Sequence, residues 1–194
     1  MNVFEDIYRI NAWNGVESKS GPGSGPVATA HVATEIVELV DELGARSVLD
    51  AACGDGYWMP DLPGYTGIDI APEAIRIAQR RHPARRYLVG SVSTLRLPAV
   101  DLVIFRDAMQ HLSLRDGMAA LSAIVEARPR WLLASTYVGG ENEDIVTGGC
   151  YAPDLSAPPF GLGKPDRLIF DGYTYHDPDE VRDARKHLGL WSLR

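Results

Sequence analysis

Two acidic residues and two glycines stand at positions where a nucleotide-like cofactor could bind. Asp50 lies in a short apolar run, residues 47–52, and Gly54 and Gly56 follow that run in a turn. Glycine lets the backbone approach a ligand closely because it has no Cβ atom. Asp69 lies in a second apolar run, nineteen residues after Asp50, and an acid there can accept hydrogen bonds from both ribose hydroxyls of an adenosine. The spacing therefore predicts a site for an adenosine-containing cofactor.

These residues need a fold that brings the ends of neighbouring strands to one edge of a sheet. Between residues 45 and 138, short apolar runs alternate with segments of helical periodicity, which is typical of a parallel sheet covered by helices on both faces. We expect a doubly wound α/β fold with a Rossmann-like sheet of seven strands, which are mostly parallel and include one antiparallel edge strand. The predicted strands are residues 47–52, 65–70, 85–92, 101–107, 130–138, 166–170 and 189–194. The predicted helices are residues 1–13, 28–43, 72–82, 114–127 and 177–188.

Two glycine- and proline-rich stretches interrupt this pattern. Residues 18–26 indicate a loop or hinge. Residues 139–166 indicate a long loop, and a loop of that length in a compact domain is usually either functional or disordered. We expect a single domain in which residues 1–44 form an N-terminal helical lid, residues 45–138 the cofactor-binding core and residues 139–194 a substrate-side loop with terminal strands.

Length and charge narrow the classes of partner. The chain has 194 residues and a formal net charge of −7, and a negative surface repels a phosphate backbone, so nucleic acid is not an expected partner. Residues 1–13 lack the features of a secretory signal, and no apolar run is long enough to span a membrane. Cys53 and Cys150 are the two cysteines and do not make a disulfide framework. We therefore expect a cytoplasmic protein without a membrane partner, and the sequence does not indicate an oligomeric state.

The segment VLDAACGDGYW, residues 48–58, resembles motif I of the class I S-adenosylmethionine-dependent methyltransferases, and Asp69 resembles their motif II. The family pattern is an acid followed by glycines at alternate positions, and here Ala52 replaces the first glycine. That replacement argues against a dinucleotide, whose pyrophosphate needs the closest approach, and S-adenosylmethionine has no phosphate. The resemblance covers about residues 45–138 and implies S-adenosylmethionine as the cofactor and S-adenosylhomocysteine as its product.

The resemblance implies where each part of the cofactor binds. Asp50, Ala51 and the backbone around Gly54 would hold the methionine portion. Asp69 would hold the ribose, and Ile70 would pack on the adenine.

Two further segments carry implied site residues. Ser91 and Val92 end the third strand, where family members often use an acid for the adenine amino group, so the contact here falls to the Ser91 hydroxyl or to backbone groups. The segment FRDAMQHLS resembles the stretch after the fourth strand of many methyltransferases, with Arg106, Asp107 and His111 facing the cleft. Arg106 is counted with the cofactor-binding residues.

The N-terminal SGPGS loop resembles a subgroup of small bacterial methyltransferases and would lie near the methionine end of the cofactor. The candidate donors to the methionine carboxylate are Ser20, Gly21, Gly23 and Ser24. The alternative is a flexible linker. Trp13 either covers the cofactor or is a core aromatic, and we expect residues 1–26 to become ordered when the cofactor binds.

Candidate catalytic residues follow the fourth strand. His111 is the best candidate for a general base if the acceptor is a hydroxyl, because histidine titrates near neutral pH; alternatively it is a structural residue at a helix start. Asp107 either positions the acceptor or caps the turn after the strand. Oxygen ligands for a metal could come from Asp107 with Glu141, Asn142 or Asp144, but no spacing supports such a site and we predict no metal.

The resemblance implies transfer of a methyl group to oxygen or nitrogen of a small polar metabolite, such as a sugar or a natural-product intermediate. The absence of a large insert favours a small-molecule acceptor. Two alternatives stay open: a cyclase or lyase reaction of the same cofactor, and a non-catalytic cofactor-binding subunit.

Overall fold

A computed structural model describes residues 2–174, 176–177 and 180–193. Its sheet has seven strands in the order β3-β2-β1-β4-β5-β7-β6. The strands are β1 Val48–Ala51, β2 Thr66–Asp69, β3 Arg86–Val89, β4 Leu102–Phe105, β5 Trp131–Tyr137, β6 Arg167–Phe170 and β7 Lys186–Ser192. The helices are α1 Val3–Ile10, α2 Pro26–Leu43, α3 Pro72–Arg81 and α4 Leu114–Glu126, with 3-10 turns at Pro22–Ser24 and Met109–His111.

Helices cover both faces of the sheet, as the alternating pattern predicts. On one face, α2 packs through Val32, Ile36 and Leu39. On the other face, α4 packs through Leu121 and Ile124. The predicted α/β fold with a mostly parallel sheet is confirmed.

The antiparallel strand does not lie at the sheet edge, and that part of the prediction is wrong. β7 pairs antiparallel with β5 on one side and with β6 on the other, so β6 is the edge strand. Burial gives the reason: Leu188, Leu190 and Trp191 of β7 are buried on alternating faces, whereas Arg167 and Leu168 of β6 are exposed. A strand that is apolar on both faces belongs inside a sheet.

One local expectation also needs correction. The helix predicted at 177–188 is absent from the described part of that range: residues 180–185 are not helical, residues 186–188 belong to β7, and residues 178 and 179 lie outside the described part. Between β1 and β2, the fully described stretch 52–65 forms turns without a helix. This agrees with the predicted elements, which place no helix between these two strands.

The long stretch 139–166 is packed against the sheet. Leu155 and Phe160 are buried in the same core cluster as α4, and the carbonyl of Pro153 accepts a hydrogen bond from the N–H of Tyr137 at the end of β5 at 2.8 Å. Of the two sequence-based alternatives, functional or disordered, the packing rules out disorder.

Ala52 is strained, which provides a test of the local geometry. It has φ = 66°, and a left-handed conformation costs a non-glycine residue about 1–2 kcal/mol. Because glycine loses more chain entropy on folding, we expect Ala52→Gly to raise the free energy of unfolding by about 0.5–1 kcal/mol in urea denaturation. The matched control is Ala51→Gly within β1, which should lower it. An Ala52→Gly protein less stable than the parent protein would contradict the claim that the left-handed conformation of Ala52 is strained.

Candidate active site

The carboxyl ends of β1, β2, β4 and β5 open into one cavity of about 1140 Å³. Parallel sheets of this kind bind ligands at that edge. The sequence-predicted residues that line the cavity are Trp13, Ser20, Gly21, Gly23, Ser24, Asp50, Gly54, Asp69, Ile70, Ser91, Val92, Arg106, Asp107 and His111. Ala51 does not line it, because its side chain is fully buried in the core beneath.

Asp69 is fixed by backbone donors on both oxygens. The N–H of Gly54 donates to Oδ2 at 2.9 Å, and the N–H of Ala71 donates to Oδ1 at 2.8 Å. Each carboxylate oxygen can accept a further hydrogen bond. Burial raises the pKa of Asp69 to about 6, against the opposing effect of these two hydrogen bonds. The first two strand ends are thus tied together at the point where a ribose would be held.

Gly54 is required by the protein's own packing. It has φ = 59°, and a Cβ atom there would lie 2.3 Å from Ser20 Oγ and 2.7 Å from the Tyr8 hydroxyl. The sequence-based argument gave glycine a role in ligand approach. In the structure it also makes room for the N-terminal loop against the turn.

Asp50 lies deeper and is the more perturbed carboxyl. Its Oδ2 accepts a hydrogen bond from the Tyr65 hydroxyl at 2.8 Å, and the residue is 4% exposed. Burial raises the pKa of Asp50 to about 7, and the negative charge of Asp69 adds to this effect. A cationic group entering the cavity would stabilise the ionised form of Asp50 and lower its pKa.

The far end of the cavity is suited to a flat apolar ring. Ile70 is 37% exposed, and its carbonyl accepts a hydrogen bond from Asn2 Nδ2 at 2.8 Å. Val92 also lines this end, and the hydroxyls of Ser91 and Ser93 lie 2.8 Å apart. The predicted adenine contacts are therefore adjacent to polar hydroxyls rather than to an acid.

Asp55 anchors the N-terminal loop to the glycine turn, a role that sequence reasoning missed. Its side chain, 1% exposed, accepts hydrogen bonds from Ser18 Oγ at 2.8 Å and from the N–H of Lys19 at 2.9 Å. Arg81 Nη1 lies 3.2 Å from Asp55 Oδ2. The position between two motif glycines is the one sequence signal that could have suggested this anchor.

Arg106 forms the second anchor of the same loop. It is buried, donates to Asp171 through Nε at 2.9 Å and Nη2 at 2.8 Å, and donates through both terminal nitrogens to the Gly23 carbonyl at 3.2 Å. The guanidinium nitrogens of Arg106 are therefore hydrogen-bonded to groups of the protein itself. Asp171, from the end of β6, carries no motif signal and was missed.

Asp107 remains ionised. Lys186 Nζ lies 2.8 Å from its Oδ1, Gln110 Nε2 donates to Oδ1 at 2.9 Å, and Arg106 Nη1 lies 3.4 Å from Oδ2. Burial works to raise the pKa of Asp107, but the charges of Arg106 and Lys186 outweigh it and hold the pKa well below the ordinary range. A carboxylate in that state orients neighbours and does not take up a proton near neutral pH.

His111 is held in one tautomer by the loop after β5. Its Nδ1 lies 2.7 Å from the Gly149 carbonyl, which accepts hydrogen bonds only, so Nδ1 carries the proton and Nε2 of the neutral ring has the free lone pair. The ring also packs on Trp13, with centroids 5.3 Å apart. His111 thus presents the tautomer that a general base requires, while its packing also fits a structural role.

The stretch 144–151 is bound along the segment that carries His111 and forms the wall of the cavity there. Asp144 accepts from the N–H of Leu114 at 3.0 Å, Thr147 contacts Asp116, and the N–H of Tyr151 donates to the carbonyl of Gln110 at 3.1 Å.

Within the part of the chain that the structure describes, no group of three or more His, Cys, Asp or Glu side chains could hold a metal ion. Among those same residues, no helix is long and apolar enough to cross a membrane.

Comparisons with known proteins relate the chain to methyltransferases. Residues 48–127 match the family model described as a methyltransferase domain. A malonyl-[acyl-carrier protein] O-methyltransferase from Serratia marcescens is 32% identical over 108 residues, which are 52% of this chain and 42% of that protein. The chain spans less than half the length of the curated relatives it matches.

Solved structures share the fold. The magnesium protoporphyrin IX methyltransferase from Synechocystis PCC 6803 with bound SAM is 16% identical, with a TM-score of 0.64 over 84% of this chain and 79% of that one. The N-methyltransferase NodS from Bradyrhizobium japonicum WM9, in complex with S-adenosyl-L-homocysteine, is 15% identical, with a TM-score of 0.57 over 71% of this chain and 74% of that one.

The burial of Asp50 predicts a pH-dependent effect of its replacement by asparagine. With a pKa of about 7 in the fold against an ordinary 3.8, the native protein holds a proton that the unfolded chain releases. The associated stability is fully present below pH 4 and is lost as the pH rises through 7.

We therefore expect Asp50→Asn to be more stable than the parent protein at pH 8 by about 1–3 kcal/mol, with the difference shrinking towards pH 5. Urea denaturation at both pH values measures it, and the exposed Asp41→Asn serves as the control. A difference independent of pH would contradict the burial effect.

Proposed function

We propose that this chain is a class I S-adenosylmethionine-dependent methyltransferase that transfers the methyl group of that cofactor to a small polar acceptor. The match of residues 48–127 to a methyltransferase domain supports this proposal. One observation carries the proposal: the Asp69 carboxylate at the end of β2 and the N–H of Gly54 after β1 meet at 2.9 Å on the wall of a cavity of about 1140 Å³. Small-molecule pockets typically measure about 300–1,000 Å³, so there is room for a cofactor and an acceptor.

The residues of the cavity fit the cofactor part by part. Asp69 keeps two acceptor sites for ribose hydroxyls, and the exposed face of Ile70 and the Ser91 hydroxyl suit an adenine. Asp50 offers a carboxyl to the ammonium group of the methionine portion. S-adenosylmethionine, when bound, supplies a methyl group on a positively charged sulfur, which is already activated for transfer.

The protein's main contribution is alignment. Holding two reactants in line can supply several kcal/mol of the barrier reduction, and the loop 18–24, fixed at both ends, together with the wall formed by 144–151 would enclose them. Asp107, kept ionised by Lys186 and Arg106, orients groups on the acceptor side. His111 Nε2 takes the proton when the acceptor is a hydroxyl.

The acceptor is proposed to be a small polar metabolite with a reactive oxygen or nitrogen. Aromatic and charged groups line that side of the cavity together: Tyr137, Tyr151, Arg182 and Lys186. The relative from Serratia marcescens acts on malonyl-[acyl-carrier protein], but it aligns over 52% of this chain only, so its acceptor is not carried over.

The reaction is tested with methyl-labelled S-adenosylmethionine and pools of small metabolites. Label in an acceptor, together with release of S-adenosylhomocysteine, is expected. Methylthioadenosine formed without any acceptor would indicate a cyclase or lyase instead. Tight cofactor binding with no product from any pool would favour a non-catalytic subunit.

Asp69→Ala tests the cofactor site. Removing a charged hydrogen-bond acceptor costs about 1.5–3 kcal/mol, so calorimetry should show S-adenosylhomocysteine binding weakened at least tenfold. Asp41→Ala, exposed on α2, should bind as the parent protein does. Unchanged affinity in a folded Asp69→Ala protein would rule out the assignment.

His111→Ala tests the base. General base catalysis contributes roughly 10²–10⁴-fold, so turnover of a hydroxyl acceptor should fall by that factor while cofactor affinity stays nearly intact. His187→Ala, outside the cavity, is the control. Turnover within threefold of the parent protein, or an equal loss of cofactor affinity, would return His111 to a structural role.

A further inference from the structure

The two cations beside Asp107 are occupied by groups of the protein itself. Lys186 has three N–H donors, and its Nζ lies 2.8 Å and 3.0 Å from the two carboxylate oxygens of Asp107 and 3.1 Å from Asp171 Oδ2. Arg106 has five N–H donors. They face Asp171, the Gly23 carbonyl and, at 3.4 Å, Asp107 Oδ2. A carboxylate or phosphate on the acceptor would have to displace one of these partners.

The charge of the cavity wall also disfavours an anionic acceptor. Among the described residues that line the cavity, six are acids and three are cations, namely Arg106, Arg182 and Lys186. Even with Asp50 protonated, the acids outnumber the cations, and an excess of acid repels an anion. The sulfonium and ammonium groups of the cofactor, set against its carboxylate, would offset one negative charge. A neutral or cationic acceptor fits what is left.

Gln110 presents an unpartnered hydrogen-bond acceptor on the same side. The residue lines the cavity and is 5% exposed. Its Nε2 donates to Asp107 Oδ1 at 2.9 Å, and because an ionised carboxylate only accepts, the amide cannot be turned round. Oε1 is thereby left buried, without a hydrogen-bond partner among the residues that the structure describes. Such an oxygen is costly unless a ligand brings a donor to it.

The Tyr151 hydroxyl is a second unpartnered group beside Gln110. The backbone N–H of Tyr151 donates to the Gln110 carbonyl at 3.1 Å, which keeps the two residues adjacent. Within the described ranges of the chain, the Tyr151 hydroxyl is buried without a hydrogen-bond partner. Burial raises the pKa of Tyr151 to about 12, so it stays a neutral phenol that can accept as well as donate. The next residue after Gln110, His111, adds the lone pair of its Nε2, so this side of the cavity is rich in acceptors.

We propose that the methyl acceptor binds here as a hydrogen-bond donor, through a hydroxyl or amino group held by Gln110 Oε1 and the Tyr151 hydroxyl, and that it carries no carboxylate or phosphate at this end. The inference rests on the proposed function and narrows its acceptor to neutral or cationic compounds such as polyols and amines. A hydroxyl and an amino group share this chemistry, and the first experiment separates them.

The first experiment divides a pool of small metabolites by charge. Anion exchange at mildly alkaline pH retains carboxylates and phosphates, and cation exchange then divides the unretained compounds into amines and neutral hydroxyl compounds. Each fraction is incubated with the parent protein and methyl-labelled S-adenosylmethionine. We expect at least tenfold more label in the unretained compounds than in the retained ones, and the cation-exchange step shows whether an amine or a hydroxyl compound carries it.

Two results of this experiment have opposite meanings for the proposed function. Label mainly in the retained fraction would overturn the inference, while the proposed function would survive because methyl transfer has occurred. No label in any fraction would overturn the proposed function and the inference with it.

Gln110→Met tests the proposed contact, because methionine keeps the length of the side chain and removes its polar atoms. We expect KM for the labelled acceptor to rise about tenfold, since a donor of the acceptor loses its partner. Calorimetry should show S-adenosylhomocysteine affinity within twofold of the parent protein. Gln79→Met, exposed on α3, is the control and should change neither quantity. An unchanged KM in a folded Gln110→Met protein would overturn the inference.

Tyr151→Phe keeps the ring and removes only the hydroxyl, so it tests the same site even if Gln110→Met does not fold. KM should rise about fivefold, with Tyr57→Phe, whose ring packs on Arg81, as the control. Arg182 is the exposed cation of the cavity wall, and Arg182→Ala should leave KM within twofold because the acceptor has no anion to pair with it. A tenfold rise of KM in Arg182→Ala with no change in Tyr151→Phe would assign an anionic group to the acceptor and overturn the inference.

Discussion

The buried ion pair between Arg106 and Asp171 joins three separate parts of the chain. Arg106 follows β4, Asp171 follows β6, and the Gly23 carbonyl that Arg106 also binds belongs to the N-terminal loop. Because breaking a buried pair leaves an uncompensated charge, at a cost of about 3–5 kcal/mol, these three segments are constrained to meet. The contact therefore brings the end of β4, the end of β6 and the N-terminal loop together around the cavity.

A second constraint acts at the other end of the same loop. The Asp55 carboxylate accepts hydrogen bonds from Ser18 and Lys19 and forms an ion pair with Arg81 of α3. Arg106 holds one end of the loop 18–24 and Asp55 holds the other, so this loop is tied to the core at both ends. The preceding helix α1 packs on α3 through the buried Tyr8, and the ordering of residues 1–26 by the cofactor stays a prediction.

The charges around the cavity divide its chemistry. Asp50 and Asp69 are carboxyls whose pKa is raised by burial, to about 7 and about 6, and each gains from a cationic or donor group nearby. Asp107 is a carboxyl that its neighbours Arg106 and Lys186 keep ionised. The first pair suits the binding of a cationic cofactor, and Asp107 suits the positioning of an acceptor.

The fold class and the strand ends that bring Asp50, Gly54 and Asp69 to one cavity were predictable from local sequence. The apolar runs of β1 and β2 are short, continuous and local in sequence, and the positions of Asp50, Gly54 and Asp69 follow from their place at the ends of those runs. The acceptor side depends on contacts between residues far apart in the chain. Asp171 and Lys186 lie 65 and 79 residues from the partners Arg106 and Asp107, and no local pattern encodes such a pairing. The order of β6 and β7, the wall formed by residues 144–151 and the tautomer of His111 were likewise decided by the tertiary structure, because each depends on which surfaces become buried together when the chain folds.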